Sequence, residues 1–222
     1  PQGFQPRTPE QVADEIAWCV EHLGAQDVAF YDDALLCDAE LHLVPILDRV
    51  RARGLQVRFH TPNGVHARFI DRGLALWLRK TGFVTLRLGL ESADPGQQRR
   101  DGGKVDRDQF ARAVEALWAA GYSAREVMAY VLIGRPGQDV QDVRATVGFA
   151  HGLGVPVSAA QFSPIPGTRE WAAAVAGALA AGNLAPAADP LLHNNSVYPC
   201  SEGADWEALK LQIRDGNRAL RV

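Results

Sequence analysis

Five apolar runs in this chain each end in a cluster of polar residues, glycines or prolines, and helical patterns separate them. The runs with their clusters are Val28–Asp33, Val57–Gly64, Leu86–Ser92, Tyr130–Gln138 and Ala159–Thr168. In a barrel of parallel strands, the carboxyl ends of the strands meet at one rim. The sequence therefore predicts that five clusters far apart along the chain converge on one site.

The stretches between these runs have the patterns of amphipathic helices with recognisable ends. The first starts at Thr8, Pro9 and Glu10, which supply a cap, a first-turn proline and an acid, and it ends at Gly24. Further helices are predicted over residues 38–53, 71–80, 106–120, 139–151, 168–181 and 205–220. One helix followed by five strand–helix pairs is typical of a parallel sheet with right-handed crossovers. Because no strand precedes the first helix, we interpret the chain as an α/β barrel that lacks its first strand.

Composition favours one main compact body. The chain has 222 residues, 47% of them hydrophobic, and a formal net charge of -3. Such a chain can bury a sizeable core. It shows no basic and aromatic surface for nucleic acid and no apolar run long enough for a membrane. Three scattered cysteines without a signal peptide favour the reducing cytoplasm. We expect a barrel domain over residues 1–181 and a helical C-terminal extension over 182–222.

Four of the strand-end clusters resemble motifs of the radical S-adenosylmethionine (SAM) enzymes, particularly those whose barrel follows a cobalamin-binding domain. In chain order they are Phe30-Tyr31-Asp32-Asp33, Gly89-Leu90-Glu91-Ser92, Leu132–Gln138 and Ser163–Thr168. The resemblance covers roughly residues 9–168 and implies a partial (β/α)6 TIM-type barrel without its first strand. It also implies SAM and a 4Fe-4S cluster as cofactors. Cobalamin, bound by an upstream domain, is a further candidate.

The resemblance implies which residues would contact SAM. They are Tyr31, Asp32, Asp33, Glu91, Ser92, Lys104, Ile133, Gly134, Gln161 and Ser163. One of Asp32 and Asp33 would accept hydrogen bonds from the SAM amino group while the other caps the next helix. Lys104 would face the SAM carboxylate, and Gly134 would let the backbone approach adenine. The substrate pocket is expected to be lined by Thr61, Asn63 and Arg87.

Several of these residues also have a purely structural interpretation. Glu91 and Ser92 would then start a surface turn, and Lys104 would belong to a solvated basic loop. Gln161 and Ser163 would form a tight turn between a strand and a helix. The sequence leaves these alternatives open, and it assigns no catalytic residue.

The cysteines depart from the family pattern. Cys19, Cys37 and Cys200 are too far apart to form the CxxxCxxC triad that holds the cluster in the family. Cys19 lies on the apolar face of the first helix, so we expect it to be buried. We therefore predict no metal ligand in this chain and place the cluster cysteines upstream of Pro1.

Two functions remain from the sequence. In the first, the chain is most of a radical SAM barrel that generates a deoxyadenosyl radical for hydrogen abstraction or methyl transfer on an unidentified substrate. In the second, it is a non-catalytic barrel that binds a nucleoside-like small ligand. In both, the absent first strand exposes a sheet edge, through which we expect the chain to self-associate.

Overall fold

The computed structural model describes residues 6–32, 34–94, 96, 98, 105–180 and 206–221. Within them, five strands run in parallel in one sheet, in the order β1-β2-β3-β4-β5. The strands are β1 Asp27–Ala29, β2 Arg58–His66, β3 Phe83–Glu91, β4 Val127–Ile133 and β5 Val157–Gln161. The helices are α1 Pro9–Leu23, α2 Leu43–Ala52, α3 Arg72–Lys80, α4 Arg107–Ala119, α5 Val140–Gly152, α6 Arg169–Ala180 and α7 Trp206–Leu220. The predicted alternation of a partial barrel with a helical C-terminal end is confirmed.

Local capping signals fix the ends of α1 where the sequence predicts them. The Thr8 hydroxyl accepts a hydrogen bond from the Gln11 N–H at 3.3 Å, and the Gln11 side chain accepts one from the Thr8 N–H at 3.2 Å. This reciprocal pair is a capping box, and it satisfies two N–H groups at the start of the helix. Gly24 ends the helix with a φ of 66°, a left-handed conformation that glycine adopts without strain.

Two aspartates cap later helices, and one predicted helix starts late. Asp71 accepts from the Leu74 N–H, and Asp139 accepts from the Gln141 N–H, both at 2.8 Å. In contrast, the helix predicted from Asp38 starts at Leu43. Residues 34–42 form turns instead, and Asp38 has a φ of 50°, which no α-helix residue adopts.

Strand β2 continues through the cluster that the sequence predicts as a loop after it. Thr61 pairs with Leu86 and Val65 pairs with Leu88, so four steps on β2 (65 − 61) match two on β3 (88 − 86). The extra residues form a bulge around Pro62, which has no N–H to give to a ladder. The strand then resumes, and the Val65 side chain is buried in the core.

The contacts group the chain into two units, residues 1–89 with 107–128 and residues 90–106 with 129–222. The first has an aromatic core in which the rings of Phe30, Phe59 and Phe83 pack at centroid distances of 5.5 to 6.0 Å. Aromatic pairs at such distances stabilise a core beyond their buried area. Helices α1 and α2 pack together in the same unit.

The second unit builds its core on β4 and β5. Alternate residues of β4 are buried, as expected for a strand with one face against helices. Apolar residues of α5 are buried as well, and α7 packs on α5 and β5 with Leu209 and Ile213 buried. Among the described residues, no helix is long and apolar enough to cross a membrane.

Candidate functional site

Predicted site residues fall in both units, and those of the first unit follow β1 or lie on β2 and β3. At the end of β1, the Phe30 N–H donates to the His60 carbonyl at 2.9 Å, one residue beyond the strand. The Asn63 amide then donates to the Tyr31 carbonyl at 2.6 Å. These bonds hold the loop on β2, while the Tyr31 side chain is 71% exposed and Asp32 is exposed. Asp33 lies outside the described residues.

Thr61 and Arg87, both predicted to line a substrate pocket, meet through one hydrogen bond. The Thr61 hydroxyl accepts from the Arg87 N–H at 3.0 Å, and Thr61 is 1% exposed. This bond replaces ladder pairing where the bulge interrupts β2. Arg87 is half-buried and lies on the opposite face of β3 from its buried neighbours Leu86 and Leu88. The structural role of Thr61 is clear, and contact with a substrate stays a prediction.

A polar cluster on β1, β2 and β3 is absent from the sequence predictions. Arg58 donates two hydrogen bonds to the Asp27 carboxylate, each 2.6 Å long. His60 Nε2 lies 2.9 Å from Asp27 Oδ1, and His60 Nδ1 lies 2.8 Å from the Thr85 hydroxyl. Arg58 and then His60 hold the pKa of Asp27 well below its usual range, and Asp27 in turn raises the pKa of Arg58.

The chemistry of this cluster follows from the Asp27 contacts. When the neutral imidazole donates its Nε2 proton to Asp27, Nδ1 accepts the proton of the Thr85 hydroxyl. Period-two spacing could have placed His60 and Arg58 on one face of a strand. The partners on neighbouring strands depend on a register that pairs Asp27 with Arg58 and His60 with Thr85, and no local pattern gives that register.

In the second unit, the segment after β3 makes a strained turn. Glu91 has a φ of 58°, a left-handed conformation that is uncommon for a residue with a side chain. Ser92 is 7% exposed, its hydroxyl accepts from the Asp94 N–H at 3.1 Å, and its carbonyl accepts from the Gln98 amide at 3.0 Å. Ser92 therefore has the structural role of a turn residue, one of the two interpretations that the sequence left open. Strain of this kind is concentrated at ligand sites, which keeps Glu91 a candidate.

Thr146 anchors this turn and was not predicted. Its hydroxyl accepts from the Ala93 N–H at 3.0 Å and donates to the Asp142 carbonyl at 2.9 Å. A cavity of about 60 Å³ lies beside it, lined by Glu91, Ser92, Asp94, Gly137, Gln138, Asp139, Asp142, Val143 and Thr146. This volume suits a few water molecules but not a nucleoside. A threonine on the apolar face of a helix looks like a core residue in sequence, so no signal identified it.

The loop after β4 is closed by Gln138. Its side-chain amide donates to the Leu132 carbonyl at 2.9 Å and accepts from the Arg135 N–H at 3.2 Å. A glutamine suits this position because it supplies both a donor and an acceptor. Gly134 has a φ of 83°, which frees the backbone to turn here. Ile133 is fully buried, so its side chain belongs to the core and only its backbone is near the loop.

Gln161, at the end of β5, is the most informative of the predicted residues. Both polar atoms of its side-chain amide are shielded from solvent, and neither has a hydrogen-bond partner among the described residues. Buried polar groups are almost always paired, so an orphaned amide indicates a missing partner such as a bound molecule. β5 pairs Gln161 with Ile133, the residue before Gly134. Ser163 is exposed.

The described residues do not hold a metal site. Cys19 and Cys37 are half-buried, so the prediction of a buried Cys19 is wrong: this residue lines a cavity beside α1. Across the described ranges, no three His, Cys, Asp or Glu side chains converge on a possible metal position. A 4Fe-4S cluster needs thiolate ligands, and these two cysteines do not provide the set. Lys104 and Cys200 lie outside the described residues.

No family model and no curated protein matches the sequence. Solved structures of radical SAM enzymes do match the fold. Coproporphyrinogen III oxidase (HemN) from Escherichia coli aligns with a TM-score of 0.55 and 17% identity, over 71% of this chain and 38% of its own. Methylornithine synthase (PylB) aligns at 0.55 and 20%, over 74% and 47%. The cobalamin-dependent SAM radical enzyme OxsB aligns at 0.54 and 14%, over 66% and 22%.

These matches define the class of fold. The chain has the partial-barrel fold of these radical SAM enzymes, so the fold that the strand-end motifs imply is confirmed. It spans less than half the length of each of these solved structures, between 22% and 47%.

Proposed function

We propose that this chain forms the SAM-binding part of a radical SAM enzyme. The fold supports this assignment, and the observation that carries it is the orphaned amide of Gln161. A carboxamide offers a donor and an acceptor side by side, which matches the donor and acceptor pattern on the edge of adenine. Gly134, which follows the strand partner of Gln161, would let the backbone approach a flat ring closely.

Other residues have roles that the same proposal assigns. Glu91 presents a carboxylate from a strained turn and would accept hydrogen bonds from ribose hydroxyls, while Asp32 would accept from the SAM amino group. The remaining predicted SAM contacts are Tyr31, Asp33, Ser92, Lys104, Ile133 and Ser163. The remaining predicted substrate contacts are Asn63 and Arg87. When bound with a 4Fe-4S cluster, SAM supplies a radical that removes hydrogen from a substrate.

The cluster itself is proposed to lie on a segment outside this chain. The described cysteines do not fit it, whereas the Gln161 amide offers the donor and the acceptor that an adenine edge needs. The proposed reaction is hydrogen abstraction or methyl transfer. Cobalamin is a candidate for a further cofactor. The proposed compartment is the cytoplasm. Self-association through the outer edge of β1 stays a prediction.

Ligand binding by the isolated chain tests the proposal. We expect calorimetry to show that S-adenosylhomocysteine binds. Gln161→Ala should weaken this binding about tenfold, since the hydrogen bonds of one buried amide contribute about 1.4 kcal/mol. Gln141→Ala is the matched control, because that glutamine is exposed at the start of α5. Equal binding of adenosine and S-adenosylhomocysteine would favour the non-catalytic nucleoside-binding barrel. Binding that Gln161→Ala leaves unchanged contradicts the assigned role.

A further inference from the structure

One edge of β5 pairs with β4, and no strand of the described residues pairs with the other. The Ala129 N–H donates to the Pro156 carbonyl at 2.8 Å, and the Phe162 N–H donates to the Ile133 carbonyl at 2.7 Å. Along a parallel strand, alternate residues direct their backbone groups to the same neighbour. Even-numbered residues of β5 therefore bond β4, and Val157, Ala159 and Gln161 direct their N–H and C=O groups away from it.

Asn217 of α7 occupies the start of this free edge. Its amide accepts from the Val157 N–H and donates to the Val157 carbonyl, both at 2.7 Å. The side chain thus pairs with the strand as a further strand would. His151 Nε2 lies 3.0 Å from the same Asn217 oxygen and fixes its orientation. Beyond Val157, nothing in the described part of the chain bonds the outward groups of Ala159.

A basic groove of about 590 Å³ lies beside the unpaired residues. Its strand wall is Val157, Ser158 and Ala159, and its helix wall includes four cations and no carboxylate: Lys210, Arg214, Arg218 and Arg221. Lys210 pairs with Glu207 at 3.0 Å and Arg214 with Asp215 at 3.4 Å. Exposed pairs of this kind are weak. With four cations and two acids, the segment keeps a net charge of +2 (4 − 2).

We propose that the free edge of β5 binds an extended acidic peptide segment of a partner protein. The peptide adds a strand that pairs with Ala159, and its acidic side chains meet the basic face of α7. Exposed strand edges that proteins leave unblocked are templates for such pairing. Peptide binding at this edge would use the backbone of Ala159 and the charges of α7 and would not require SAM.

A nucleic acid fits this groove less well. The groove lining contains no aromatic side chain on which a base could stack, and stacking is the main sequence-tolerant contribution to single-strand binding. Outward N–H and C=O groups at strand spacing are complementary to another peptide backbone and not to a phosphate chain. We therefore expect the basic groove to bind an acidic peptide in preference to a nucleic acid.

The test uses a fluorescein-labelled short peptide of alternating glutamate and valine, followed by fluorescence anisotropy. Ala159→Pro removes the outward N–H and leaves every charge in place, and an edge strand tolerates proline where the N–H faces outward. We expect it to weaken binding about fivefold, whereas Ala159→Val, which keeps the N–H, binds as the parent does. A peptide with N-methyl groups on alternate amides should bind as weakly to the parent protein.

The charge component has its own pair of variants. Arg214→Glu combined with Arg218→Glu should weaken binding by more than tenfold and reduce its dependence on salt, and Lys80→Glu, an exposed lysine of α3, should change neither. Circular dichroism melts verify that each variant is folded. The proposal is overturned if the N-methylated peptide binds equally well to the parent, if an oligodeoxythymidine binds more tightly than the peptide, or if the acidic peptide does not bind at millimolar concentration.

Discussion

The hydroxyl of Thr146 accepts a hydrogen bond from the backbone N–H of Ala93 at 3.0 Å, across 53 positions of sequence. Both residues are buried. The bond ties the turn after β3, with its strained Glu91, to the middle of α5. A single side chain on a helix thereby holds the segment in which two of the predicted SAM contacts lie.

Replacing Thr146 by valine tests this anchor. Valine has the same shape but no acceptor, so the Ala93 N–H is left buried and unpaired, which costs about 1 to 3 kcal/mol. We expect the free energy of unfolding in urea to fall by that amount. Thr146→Ser keeps the hydroxyl and should lose clearly less. Equal losses in the two variants would show that packing, and not the hydrogen bond, holds the turn.

The approach of α7 to α5 depends on Gly216. A Cβ at this position would lie 2.6 Å from Nδ1 of the His151 ring. Alanine is preferred over glycine in a helix by about 1 kcal/mol, yet we expect Gly216→Ala to destabilise the protein because the ring is held by Asn217 and cannot move freely.

Thermal unfolding of three variants resolves this effect. Gly148→Ala in α5, where nothing lies within 4 Å of the added Cβ, is the matched control and should be neutral or stabilising. Adding His151→Ala to Gly216→Ala should recover part of the lost stability. A stabilised Gly216→Ala single variant would contradict the close packing.

The pH dependence of stability is expected to reflect Asp27. Its pKa in the folded state is depressed by Arg58 and His60 from an ordinary value of 3.8. The stabilisation is therefore fully present above pH 3.8 and is lost as pH falls toward the folded-state pKa. Asp27→Asn should lower the unfolding midpoint in urea near pH 6, and the difference from the parent should shrink below pH 3.8. A difference that stays constant across this range would exclude the Asp27 charge as its cause.

Much of the fold could be predicted because its signals are local. Thr8, Asp71 and Asp139 cap helices within the next three residues, and Gly24 ends α1 through its own φ angle. The late start of α2 could not be predicted, since residues 34–42 take turns that their helical pattern does not exclude. The extension of β2 past Pro62 depends on Val65 finding buried space beside β3.

The candidate site, like the fold, could be predicted only in part from the sequence. The resemblance to radical SAM motifs implied that Glu91, Gly134 and Gln161 contact the ligand, and these roles stay predictions. That the Gln161 amide lacks a partner among the described residues is visible only in three dimensions. The contacts of Asp27 with His60 and of His60 with Thr85 likewise depend on strand register.

The sequence by itself determined the order of strands and helices and the positions of the polar clusters, because hydrophobic periodicity and capping act over a few residues. Only the tertiary structure decided which distant groups meet, such as Thr146 with Ala93 and Asn217 with Val157. It also decided that the outward groups of Ala159 bond none of the described residues. Such pairs are joined by packing and register over many tens of residues, and no local pattern encodes them.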